Sequence, residues 1–158
     1  MNESPIAPEP SADEAAVQIS RIILAPRQKV FAAFSSIEEL KKWFGPGQCH
    51  VTGGTINFRT GGMYVIGMNV VDAGDVNLVG EYLEIIPGER IAFSWEWTNN
   101  PALEGQGITR VSIDFFDDAD SGGTTIQLRH EGFLAAESTA GHDDGWRGSF
   151  DKLDRCFF

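Results

Sequence analysis

The apolar positions change period along the chain, and the changes mark its elements. In VQISRIIL (residues 17–24), Val17, Ile19, Arg21 and Ile23 share one face and Gln18, Ser20, Ile22 and Leu24 the other. That is the period of a strand, although neither face is purely polar. Ala25-Pro26 stops it, and proline suits the first turn of a helix whose apolar stripe is Val30, Phe31 and Phe34. Ser36, with Glu39 three residues on, reads as an N-cap and capping box. It opens a second helix over residues 37–44, with Ile37, Leu40 and Trp43 or Phe44 buried and Gly45-Pro46-Gly47 ending it. Two short helices in succession do not cross a sheet as one long helix does. They are expected as a V-shaped brace at one end.

From Cys49 onward the pattern becomes that of strands. Gly53-Gly54 reads as a turn before residues 55–59, and Gly61-Gly62 as a turn before residues 63–71. Residues 72–75 form another turn, and residues 76–86 a long strand. Pro87-Gly88 closes a hairpin onto residues 90–98, where Ile91, Phe93, Trp95 and Trp97 alternate with Ala92, Ser94 and Glu96. After a polar loop over residues 99–107, Thr109, Val111, Ile113 and Phe115 share a face. An acidic turn over residues 117–123 follows, then Ile126, Leu128 and His130 in alternation. In the final stretch, residues 138–158, the large apolar residues are Trp146, Phe150, Leu153 and Phe157, at gaps of four, three and four. This spacing places all four on one face of a long helix.

The order is therefore strand, two short helices, about six strands and one long helix. Consecutive strands joined by short turns form an antiparallel meander. A twisted sheet of this kind with a single long helix is a two-layer α+β domain.

Composition narrows the function classes. The chain has 158 residues, enough for one domain with its own core. Residues 1–14 hold three prolines and four acids and little to bury, so they are expected as a disordered acidic tail, with the domain over residues 15–158. A formal net charge of −11 repels nucleic acid and anionic membrane surfaces, and neither is an expected partner. No apolar run is long enough for membrane insertion. The N-terminus MNESPIAPEP lacks the basic and apolar regions of a secretory signal, and the two cysteines make no disulfide framework. The expected location is cytoplasmic. Eleven Phe and four Trp suit a wide space between sheet and helix.

A curved sheet closing on one helix leaves space at one end of the interface, the common place for a ligand. The inward candidates for such a pocket are Phe58, Tyr64, Phe93, Trp95, Val111, Ile113, Leu128, His130, Trp146 and Phe150. Each also reads as simple core. His130 reads first as a core histidine with its hydrogen bonds met, and second as an acid–base group. His142-Asp143-Asp144 invites a metal reading, but neighbouring residues on a helix point apart and no second ligand cluster exists. His142 is expected in the helix's first turn, with the two aspartates set against the positive helix N-terminus. Glu81, Glu84 and Glu96 could pair for acid–base work, yet read better as solvated outer-face acids. Cys49-His50 is too short a match for nucleophilic catalysis, and Cys156 has no evident basic neighbour. No catalytic residue, metal or cofactor is assigned.

An ordered set of short motifs resembles one family. They are Ala25-Pro26 with Val30-Phe31, Trp43-Phe44-Gly45-Pro46, Phe58-Arg59 with Gly62 and Tyr64, and Gly80-Glu81-Tyr82 with Glu84-Ile85. Further on stand Pro87-Gly88-Glu89-Arg90-Ile91 with Phe93 and Trp95, Gly123-Thr124, Leu128 with His130 and Gly132-Phe133, and His142 with Gly145-Trp146. Over residues 17–158 the chain resembles START-like (SRPBCC, Bet v 1-like) domains, in the branch of the activator of heat shock protein 90 ATPase. The resemblance implies a helix-grip fold: a curved antiparallel sheet of about six to seven strands around a long C-terminal helix, with two short helices after the first strand. It also implies a cavity for a hydrophobic or aromatic small molecule, the leading expectation for function. A polyketide cyclase- or hydrolase-like enzyme using His130 is one alternative, and a chaperone ATPase co-activator or regulatory module is another. The eukaryotic co-activator carries an additional N-terminal chaperone-binding domain where this sequence has its short acidic stretch, which counts against a chaperone partner. A homodimer through strand edges or the helices near Trp43 stays open.

Overall fold

The computed structural model describes residues 16–157. The acidic tail expected over residues 1–14 lies outside the described residues. The elements run β1 (Val17–Ile23), α1 (Arg27–Ala32), α2 (Ile37–Leu40), β2 (His50–Ile56), β3 (Met63–Val70), β4 (Gly74–Ile86), β5 (Arg90–Thr98), β6 (Thr109–Asp117), β7 (Thr124–Glu131) and α3 (Ala136–Arg155). The seven strands form one antiparallel sheet in the order β1-β7-β6-β5-β4-β3-β2. Strands β2 to β7 are the expected meander. The first strand returns to pair with the last, with Val17 opposite His130 and Ile23 opposite Thr124. The two-layer α+β helix-grip architecture is thus the structure of the described chain.

Helix α3 buries Trp146, Phe150 and Leu153 against the sheet. Phe150 and Leu153 are fully enclosed. Arg21 on β1 reaches across to Asp151 and Asp154 of α3, the second at 2.9 Å. This settles the mixed face of β1: Val17, Ile19 and Ile23 point into the core, while Arg21 on the same face clamps the helix at its rim. Helix α1 lies against β6 and α2 against β2, strands separated in the sheet by β5, β4 and β3. The short helices thus span the concave side and help close it.

Several boundaries differ from the sequence reading. Helix α2 ends at Leu40 rather than near Phe44. A turn continues, with Phe44 N–H donating to Leu40 O, while Trp43 Nε1 donates to Ala33 O at 2.9 Å and holds the chain off a straight helical path. The Ser36 cap is present, its Oγ accepting from Glu39 N–H. The Glu39 carboxylate pairs with Lys42 at 3.1 Å. Gly53-Gly54 is not a turn. It lies inside β2, just after a register shift between Val51 and Gly53, with Gly54 at φ +137°, where a Cβ would collide with the Val65 carbonyl. A bulge of this kind hides a strand from any period-two search. Strand β4 likewise begins at Gly74, inside the expected turn.

Helix α3 begins at Ala136, so His142 stands in its second turn, not its first. Asp143 and Asp144 therefore do not face the helix N-terminus. Asp143 instead pairs with Arg147 one turn on, at 2.6 Å.

Candidate functional site

The C-terminal half of α3 is packed tightly on the sheet, and its N-terminal half is not. A cavity of about 420 Å³ lies beneath the N-terminal half. The helix contributes Glu137, Ser138, Gly141, His142, Gly145, Trp146 and Ser149, one face at helical spacing. Trp95 and Trp97 of β5 form the opposite wall, and Met68 and Val70 of β3 extend it. Phe44, Gly45, Pro46 and Cys49 close one side, and Asn100 and Leu103 the other. Gly141 leaves the helix surface open, since a Cβ there would meet nothing within 4 Å. At Gly148 the reverse holds. The Pro46 side chain would lie 2.6 Å from a Cβ, so the helix and the 45–47 loop approach as closely as glycine permits.

The rings meet edge to face. Trp95 stands at 87° to Trp97 with centroids 5.6 Å apart, and Phe44 at 69° to Trp146 at 5.7 Å. These are favoured arrangements for aromatic quadrupoles, and they make a stiff wall. Trp95 Nε1 is buried and has no hydrogen-bond partner.

Two histidines stand by this wall, and their hydrogen bonds fix their tautomers. Trp146 Nε1–H donates to His130 Nδ1 at 3.1 Å. His130 Nε2 must then carry the proton, which it gives to Thr109 Oγ1 at 2.7 Å, and that hydroxyl donates to Trp95 O at 3.2 Å. His142 Nδ1–H donates to Ser138 O at 2.8 Å, leaving Nε2 to accept from Trp97 Nε1–H at 3.0 Å. All four ring nitrogens are committed. Burial pushes the His130 pKa down to about 2, with nearby His142 adding to the effect, and burial also lowers that of His142. Both are neutral struts for the indoles, and His130 is the core histidine with satisfied bonds.

This has a consequence in acid. The unfolded chain protonates its histidines near pH 6.5, whereas folded His130 stays neutral until about pH 2. Between those values the unfolded state binds more protons, so stability is full above about pH 6.5 and falls as pH falls. His130 is expected to account for a loss of about 2 kcal/mol in urea unfolding between about pH 7 and pH 5, which His130→Gln removes, while buried His142 adds a loss of the same sign that stays in the variant. An unchanged pH dependence in the variant would place the acid sensitivity elsewhere.

Ser149 ties the cavity's side to the helix. Its Oγ accepts from Gly45 N–H at 3.0 Å and donates to Gly145 O at 2.9 Å. Ser149→Ala leaves the Gly45 N–H without its acceptor and is expected to cost about 1–3 kcal/mol in denaturant unfolding.

Of the ten residues expected around a pocket, Trp95 and Trp146 line this cavity. Tyr64 and Phe93 border a separate small void of about 30 Å³, which Trp95 and Trp146 also touch. Val111, Ile113, Leu128, His130 and Phe150 are buried in the core and line neither space. Phe58 is half-buried beside Tyr82 and Phe31. Trp97, Met68, Phe44 and His142 line the cavity without having been expected there. Trp97 was findable, because it continues the Phe93–Trp95 alternation. Glu84 is paired with Arg90 at 2.8 Å, and Glu96 borders a hollow next to the cavity. Cys49 Sγ accepts from Val71 N–H at 3.4 Å. Among the described residues, no group of three His, Cys, Asp or Glu could hold a metal, and no helix is long and apolar enough to cross a membrane.

Known proteins resemble this chain in family and in fold. The family model described as Activator of Hsp90 ATPase homolog 1-like protein matches residues 24–157. A search of curated proteins finds no match. A crystal structure from Chromobacterium violaceum is similar at 24% identity and TM-score 0.77, over 90% of this chain and 96% of that one. One from Silicibacter pomeroyi is similar at 21% identity and TM-score 0.76, over 89% and 96%. CalU16 from Micromonospora echinospora is similar at 20% and 0.64, over 87% and 73%. At these identities the likeness shows the fold.

Proposed function

The chain belongs to the activator of Hsp90 ATPase homolog 1-like family, and from its cavity we propose that it is a cytoplasmic protein that binds a hydrophobic or aromatic small molecule beneath α3. The cavity itself carries the reading. Its volume of about 420 Å³ lies within the roughly 300–1,000 Å³ range of small-molecule sites. Its wall of Trp95, Trp97, Trp146, Phe44 and Met68 offers apolar surface that a ligand would remove from water. The two histidines by the wall are occupied. Both histidines spend their nitrogens on the scaffold, which withdraws His130 from a cyclase- or hydrolase-like role. Stimulation of a chaperone ATPase, which the family's name suggests, finds no comparable built feature among the described residues.

Three of the four tryptophans line the cavity, so bound ligand is expected to change intrinsic fluorescence. A panel of neutral aromatic and aliphatic compounds should contain members that give a saturable change at one ligand per chain. A panel without any saturable member would overturn the reading.

A further inference from the structure

The charge around the cavity is one-sided, and we propose that its ligand is an organic cation: an apolar or aromatic body carrying a protonated or quaternary amine. This rests on the small-molecule reading above and narrows it. Among the described residues, Glu137 in the first turn of α3 is the only formally charged residue on the cavity wall. The adjoining hollow shares Trp97, Asn100 and Leu103 with the cavity. It adds Glu96 and Glu104, and again no lysine or arginine.

No cation on the described wall is available to a bound anion. Arg147 is held by Asp143 at 2.6 Å, and Lys152 Nζ donates to the Cys49 carbonyl at 3.1 Å, both off the wall. His142 is neutral, with both nitrogens engaged. The positive end of the α3 dipole would favour an anion, but Glu137 already sits in that turn and offsets it. A carboxylate entering here would shed its hydration with no cationic side chain on the wall to replace it. It would also approach against the field of a chain at −11.

An ammonium group meets the opposite conditions. The field draws it to the mouth. Trp95, Trp97 and Trp146 line the space, and an indole attracts a cation through its quadrupole more strongly than the other aromatic side chains do. Glu137, Glu96 and Glu104 stand where the charged end of a ligand buried by its apolar end would emerge.

The test is calorimetric titration with three probes of matched body: naphthylmethylamine, naphthylmethanol and naphthoate. At low salt the amine is expected to bind at least about tenfold more tightly than the carboxylate, with the alcohol between them. The gap is expected to narrow at high salt and in Glu137→Gln. If the alcohol binds but the amine gains nothing over it, the cation proposal fails and the small-molecule reading stands. Tighter binding of the carboxylate has the same meaning. If none of the three binds saturably, the cation proposal falls together with the reading beneath it.

Discussion

Truncating Phe150 to alanine is expected to destabilise the protein by about 3–5 kcal/mol, a large share of the ~5–15 kcal/mol typical of a domain. Phe150 is fully buried where α3 meets the sheet. Its ring stacks at 29° on Trp43, with centroids 6.1 Å apart, and lies 5.6 Å from Trp146. One side chain therefore joins the long helix to the segment after α2 and to the aromatic wall of the cavity. Neighbours locked by their own hydrogen bonds cannot collapse into the space left behind. Trp43 is held to Ala33 O and Trp146 to His130. The cost should therefore combine lost burial with an unfilled cavity. A thermal melt should show the midpoint fall by roughly 6–20 °C. A change near zero would mean that α3 is not the gripped element.

Changing Gly141 to phenylalanine is expected to do the reverse: leave the fold intact and eliminate ligand binding. The glycine sits in α3 on the cavity wall, and a Cβ there meets nothing within 4 Å. A phenyl ring added at that point finds apolar space facing Trp95 and Trp97 and occupies what a ligand would need. Replacing an interior helical glycine also removes a propensity penalty, so the thermal midpoint should hold or rise slightly. Affinity should weaken by at least about tenfold. A variant that folds as well as the parent and binds as tightly would locate the ligand elsewhere.

Much of this architecture is legible in the amino-acid sequence because the core obeys simple periods. Trp146, Phe150 and Leu153 repeat at helical spacing and are the buried face of α3. Ile91, Phe93 and Trp95 alternate and are the buried face of β5. What escapes periodicity is irregular backbone. The start of β2 is concealed by a register shift between Val51 and Gly53, and the end of α2 by a turn that carries Trp43 into the core.

The cavity was only partly legible for a different reason. A sequence pattern tells which side chains point inward but not where the two layers separate. His130 and Trp146 both point inward, yet one is a strut and the other a wall. The signal for separation lay in small residues. Gly141 and Gly145 recur at helical spacing on the face where the helix withholds side chains, and Gly148 marks where it closes onto Pro46. His130 and His142 accept from tryptophans on other elements, and only the fold brings these together.

The central claim is that the space beneath the N-terminal half of α3 is a binding site. Parallel calorimetric titration of the parent chain and Gly141→Phe with naphthylmethanol tests it most directly. The account predicts saturable binding at one site per chain in the parent and its loss in the variant, with both proteins giving the same cooperative melt. Equal binding by the two, or no binding by the parent, would contradict it.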